Sequence, residues 1–184
     1  MSPRKPQRIS YDKIPRMDYS KITDDLFIGT TPTVADYEHL RELGVRLVIN
    51  MRWEFRPPPD LYDPPLHFLW QRTFDSPLFP IPMQALHHGA RAALETIREG
   101  GKVYVHCAAG RHRGVAMGSA VLIAQGYDPH EAMKLITERR MVADPYIFYI
   151  RNRILRFGRE WNEWNGGKSL RDTDLTDASR TDPV

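Results

Sequence analysis

The chain has 184 residues, of which 41% are hydrophobic and 27% charged, with a formal net charge of +3. That size suits one domain with a substantial core, and the composition excludes disordered and fibrous classes. No apolar run approaches the roughly 18 residues of a membrane span, and the basic start lacks the apolar segment of a secretory signal. The mild charge comes without the basic stripe and interleaved aromatics of a nucleic-acid module. One cysteine, Cys107, cannot form an internal disulfide, so a reducing, cytoplasmic setting is expected; the chain is also expected to be a monomer.

Residues 1–17 read as an extended basic arm, interrupted by three prolines and with few apolar anchors. In "KITDDLFIGT", Asp24 and Asp25 mark a turn between two strands, the second built on Leu26, Phe27 and Ile28. "TVADYEHLRELG" predicts a helix with Thr33 as N-cap, an apolar face of Tyr37, Leu40 and Leu43, and Gly44 as its stop. "VRLVIN" (45–50) has the apolar continuity of a buried parallel strand. The stretch "RPPPDLYDPPLHFLWQRTFDSPLFPIP" holds eight prolines and reads as loop around a strand at "LHFLW". It is too apolar for a disordered linker, and long ordered loops inside compact domains are usually functional.

"MQALHHGARAALETIREG" predicts a helix, "KVYVH" (102–106) a central strand and "GVAMGSAVLIAQG" a buried helix of small residues. "DPHEAMKLITERR" follows with Asp128 as N-cap, Pro129 at the first helical position, and Arg139 and Arg140 at its end. A final amphipathic helix covers "PYIFYIRNRILRFGREWNEW", and residues 165–184 form a polar tail. The alternation of short apolar strands with helices predicts a single α/β domain over 18–164, a mostly parallel sheet flanked by helices. In such sheets ligands bind beyond the carboxyl ends of the strands.

"HCAAGRHR" lies at such an end. A tight turn from a strand into a helix gathers backbone N–H groups around one concavity, and the helix N-terminus adds its positive dipole end. Ala108, Ala109 and Gly110 are small enough for an anion to approach the backbone. Arg113 offers a planar fork that grips two phosphate oxygens. Cys107 at the base of this cup has its thiolate favoured by the dipole, the amides and Arg113, which makes it a nucleophile facing a phosphate cradle. A cysteine closing a buried strand is more often a small core hydrophobe. Here His106 before it, Gly110 three residues on and the apolar helix beyond favour the nucleophile.

These residues resemble the His-Cys-x5-Arg signature loop of the cysteine-dependent protein tyrosine phosphatases. The chain length and the "KITDDLFIGT…LGVRLVIN" opening are similar to the small dual-specificity branch, over roughly residues 18–160. The resemblance implies a dual-specificity phosphatase-like fold and hydrolysis of phosphomonoesters through a phosphocysteine, with no cofactor or metal. It also implies an aspartate upstream of the cysteine that protonates the leaving oxygen and later deprotonates water. Asp60, Asp63 and Asp75 are the candidates. Asp75, in "RTFDSPLFP" and 32 residues before Cys107, fits best, because it follows a strand and precedes a helix. His106 is expected to orient the loop through a hydrogen bond. His87, His88 and His112 lack the helical i, i+4 spacing with a carboxylate that a zinc site would want.

Two further features bear on rate and substrate. Where the family carries Ser or Thr directly after the arginine, this chain has Gly114, without the hydroxyl that helps the cysteine leave. Arg111 stands where phosphoinositide and inositol-polyphosphate phosphatases of the superfamily often carry lysine. "GRHR", with His112, resembles the "GKHR" loop of an atypical fungal and plant group, and "VINMRWEF" leaves Arg52 as a second anchor for phosphate. The substrate implied is a phosphoprotein, with a phosphorylated lipid or small molecule as the alternative. A rhodanese-like sulfur transferase, a low-molecular-weight phosphatase and a non-catalytic phosphate-binding module are the competing readings. The first calls for a different loop, the second for a cysteine near the N-terminus, and the third rests on Gly114 alone.

Overall fold

The computed structural model describes residues 17–172, with side chains to Trp164; the arm at 1–16 and residues 173–184 lie outside the described residues. Five strands, β1 (Tyr19–Lys21), β2 (Leu26–Gly29), β3 (Val45–Asn50), β4 (His67–Trp70) and β5 (Lys102–His106), make one sheet in the order β1-β2-β5-β3-β4. Only β1 runs antiparallel to its neighbour; the other three pairings are parallel. A 3-10 turn (Val34–Asp36) leads into α1 (Tyr37–Glu42), followed by α2 (Met83–Arg98), α3 (Arg113–Ala124), α4 (Pro129–Arg139) and α5 (Phe148–Asp172).

Alternation along β5 divides the core. Val103 and Val105 face the larger cluster with α2, α3, α4 and α5, whereas Tyr104 faces a smaller one with Met17, Tyr37 and Leu40. Helix α3 is buried from Arg113 to Ile123, which its small apolar residues allow. Full burial of each large aliphatic side chain stabilises by about 1.5–3 kcal/mol, so this central layer fixes the strand end from which the signature loop departs.

The helix expected from Thr33 opens as a 3-10 turn. The Thr33 amide and hydroxyl both donate to the Asp36 carboxylate, at 2.8 Å each, which tightens the first turn. Gly44, at φ +85°, ends the segment as expected. The proline-rich loop is held in place: Tyr37 Oη donates to Pro58 O (3.1 Å), Arg41 pairs with Asp60, and the Asp60 carboxylate accepts from the Leu66 amide (2.8 Å). Helix α5 continues to Asp172, beyond the boundary at 164, and Met17 is already buried, one residue before the boundary at 18.

Register aligns the strand ends. Gly29 and Asn50 both pair with His106, and Asn50 pairs with Trp70. The segments leaving β2, β3, β4 and β5 therefore emerge side by side at one edge of the sheet.

Candidate active site

The signature loop, residues 107–112, joins β5 to α3. Gly110 has φ +61°, and a Cβ there would lie 2.7 Å from the Gly29 carbonyl oxygen, so the turn requires glycine. Behind it stands Arg140, which follows α4 and is 2% exposed. Its guanidinium donates to Gly110 O (2.8 Å) and Ala109 O (3.0 Å) and pairs with Asp18 (2.9 Å). In a planar trans peptide the N–H points opposite the carbonyl, so holding these carbonyls on Arg140 directs the Gly110 and Arg111 amides away from it. Thr31 Oγ1 donates to Cys107 O (3.2 Å), fixing the start of the loop. Cys107 itself is buried and free.

Arg113, the first residue of α3, is 5% exposed. Its Nη1 donates to Thr73 O (2.8 Å) and Met51 O (3.2 Å), and the Glu54 carboxylate lies 3.4 Å away. Its Nε is buried without a hydrogen-bond partner among the described residues, with Asp75 Oδ2 at 3.8 Å. The guanidinium is thus aimed mainly by backbone carbonyls, and a donor is left for a ligand. Burial would raise the Glu54 carboxyl, but hydrogen bonds from Arg52, its own backbone amide and Arg113 bring it down to about 2. Glu54 therefore stays ionised and keeps Arg113 and Arg52 in place across the working pH range.

Asp75 lies beyond β4 in the segment leading to α2. Its carboxylate accepts from Tyr149 Oη (2.7 Å) and stands 3.2 Å from His112 Nδ1. Asp60, one of the two competing candidates beside Asp63, is committed to Arg41. Cys107, Arg113, Asp75 and His112 are therefore gathered at one sheet edge.

Other predicted residues sit differently. Arg111 is largely exposed and turns toward Asp144 (3.8 Å). Arg52 donates from Nε to Glu54 (2.8 Å) and from Nη1 to Thr31 Oγ1 (2.8 Å). Burial pushes the His106 imidazole down to about 3, and its Nδ1 has no hydrogen-bond partner among the described residues. A hydrogen bond to the Cys107 backbone opposes that shift, and the His106 carbonyl accepts from the Met51 amide (2.9 Å), tying the ends of β3 and β5. A Cβ on Gly114 would meet the Cys107 nitrogen at 3.3 Å.

Three contributors escape a reading of the sequence: Glu54, Arg140 and Tyr149. Arg140 reads as a helix-end charge and Tyr149 as one aromatic of an amphipathic helix. Their partners lie 31 and 74 residues away, at Ala109 and Asp75, and no local pattern announces such pairings. Among the described residues no cluster of His, Cys, Asp or Glu could hold a metal ion, and no helix is long and apolar enough to cross a membrane.

No family model matches the chain. Dual specificity phosphatase 28 of mouse (Mus musculus) is 27% identical over 128 residues, which are 69% of this chain and 76% of that protein. The crystal structure of human DUSP28 matches with a TM-score of 0.69 at 23% identity, covering 77% of this chain and 93% of that one. PTPMT1 in complex with PI(5)P matches with a TM-score of 0.70 at 24% identity, covering 80% and 98%. The chain thus has the fold of the cysteine-dependent phosphatases, in the arrangement of the dual-specificity branch and similar to both DUSP28 and PTPMT1.

Proposed function

We propose that the protein hydrolyses phosphomonoesters through a phosphocysteine on Cys107, and that it acts on phosphoproteins as a dual-specificity phosphatase. The observation that carries this reading is the buried Arg113 guanidinium, oriented by the Thr73 and Met51 carbonyls at the end of the Cys107 loop, with no hydrogen-bond partner for Nε among the described residues. Phosphate supplies the missing acceptor, and the fork of Arg113 with the loop amides takes its equatorial oxygens. The Cys107 thiolate attacks phosphorus; the S–P bond forms as the ester P–O bond breaks, and Asp75 delivers its proton to the leaving oxygen. Asp75 then removes a proton from water, which attacks phosphorus, and the P–S bond breaks to release phosphate and the thiolate. Gly114 offers no hydroxyl to that departing sulfur, which makes the second step the slower one.

The mouth suits a side chain presented on a surface rather than one buried in a deep slot. Trp53, Phe74 and Phe79 make tilted ring contacts at centroid distances of 4.9 and 5.7 Å and remain 44–62% exposed. The same apolar cluster favours a second reading, a phosphoinositide headgroup at a lipid surface, and PTPMT1, which shares the fold, has been crystallised in complex with PI(5)P. The deciding experiment assays phosphotyrosine and phosphothreonine peptides beside phosphoinositides in vesicles, with Cys107→Ser as the blank. Higher kcat/KM on both peptides supports the protein phosphatase; higher kcat/KM on vesicles supports the second reading. Phosphate binding without hydrolysis would make the chain a non-catalytic binding module.

A further inference from the structure

We propose that Tyr149 is a positioning residue for Asp75: with His112, its hydroxyl clamps the carboxylate over the Cys107–Arg113 cradle. The role in turnover rests on the general-acid reading above, whereas the clamp itself is a matter of geometry.

Asp75 needs holding. It lies in a segment without regular secondary structure; Thr73 before it is buried, but Phe74, Leu78 and Phe79 are 44%, 83% and 62% exposed. Tyr149, by contrast, stands on a post registered to the signature loop. The Asp144 amide donates to Arg111 O (3.0 Å), the Ala143 amide to Arg140 O (2.9 Å), and Asp144 Oδ1 accepts from the Ile147 amide (3.1 Å) at the start of α5. Movement of that post relative to the cradle would break backbone hydrogen bonds, so its hydroxyl is a fixed reference for a carboxylate carried on an irregular segment.

The hydrogen bonds are mutually consistent. Tyr149 has one proton and gives it to Asp75 Oδ1 at 2.7 Å. Its oxygen then accepts from His112 Nδ1 at 3.1 Å, and the same Nδ1–H leans on Asp75 at 3.2 Å. Burial, then the hydrogen bond and charge of Asp75, and then Asp144 push the Tyr149 phenol well above its ordinary value, with Arg113 opposing. The phenol therefore remains a donor throughout the working pH range. With Arg113 Nε on the remaining side, Asp75 is met from the signature loop, from α3 and from α5.

Loss of a hydrogen bond to a charged group is among the larger single-contact effects, so Tyr149→Phe should cost ~10-fold or more where the acid matters. Two measurements on the full chain test this. In hydrogen exchange followed by mass spectrometry, Tyr149→Phe should speed exchange several-fold in peptides covering residues 72–81 and leave the core strands unchanged. In steady-state kinetics it should lower kcat on an alkyl phosphate, hold KM within about twofold, and leave an activated aryl phosphate nearly unaffected. Unchanged exchange at 72–81 overturns the clamp whether or not the wild type is active. Wild-type kinetics on the alkyl phosphate, in a background where Asp75→Asn is crippled, overturns it equally. An inactive wild type, or an Asp75→Asn variant as active as the wild type, counts against the general-acid reading instead, and the exchange data still decide the clamp.

Discussion

Gly114 lies in the first turn of α3, pressed against the end of β5. A Cβ added there would sit 3.3 Å from the Cys107 nitrogen and 3.4 Å from the His106 carbonyl carbon. Both neighbours are backbone, so neither can rotate aside. Overpacking of this kind costs about 1–3 kcal/mol, while replacing glycine in a helix returns about 0.5–1 kcal/mol. The expected net loss is roughly 0–2.5 kcal/mol, a fall in Tm of up to about 10 °C at the ~2–4 °C per kcal/mol usual for a chain of this size. Gly114→Ala carries this steric effect alone, and Gly114→Ser carries it with the hydroxyl that the second step lacks. Calorimetry should place both variants below the parent and within about 2 °C of each other, since their Cβ atoms meet the same backbone. Stopped-flow with an activated aryl phosphate should give a burst of product stoichiometric with enzyme in the parent. The steady rate of Gly114→Ser should exceed that of Gly114→Ala severalfold, with similar burst rates. Equal steady rates in the two variants would refute the role assigned to the missing hydroxyl, and a Gly114→Ala that melts above the parent would refute the steric argument.

Asp75→Ala should lower turnover by about 10²–10⁴-fold on alkyl phosphates and much less on activated aryl phosphates, whose leaving oxygen needs little protonation; a uniform loss across leaving groups would count against a general acid. Burial holds His106 at about 3 when folded, against about 6.5 when unfolded. Its contribution to stability is therefore complete above about pH 6.5 and is lost as pH falls from there toward 3, by at most roughly 4–5 kcal/mol. Urea titrations of the parent and His106→Gln at pH 7 and pH 5 should show the variant losing less stability over that interval. Arg140→Met leaves the Ala109 and Gly110 carbonyls without their donor, at about 1–3 kcal/mol for each buried group. Both stability in urea and affinity for a phosphate analogue should fall, and a loss of stability alone would limit Arg140 to a structural role.

The sheet and its helices were legible because their signals are local. Val45–Asn50 and Lys102–His106 are short strands built on the apolar runs Leu47–Ile49 and Val103–Val105, Asp128 and Pro129 open α4 as capping chemistry requires, and Gly44 closes the α1 segment with a positive φ. Cys107 and Arg113 were legible as a candidate pair for the same reason, since the turn between them lies within one short segment. Asp75 could be narrowed from three aspartates by its place between β4 and α2. The supports were not legible. Arg140 reaches Asp18 across 122 residues, and Tyr149 reaches Asp75 across 74; such pairings come from packing α4 and α5 against the sheet edge. Arg52 and Arg111 were visible as charges, but Glu54 and Asp144, which engage them, could not be assigned to them without the fold.

The claim on which the account rests is that phosphate passes through Cys107. The most direct measurement is a rapid acid quench of the parent with a phosphorus-labelled aryl phosphate, followed by peptide mapping. The account predicts label on the peptide containing Cys107, formed within the burst and discharged at the steady rate, with none in Cys107→Ser. Steady hydrolysis with no trapped phosphocysteine, or a Cys107→Ser protein with full activity, would contradict it.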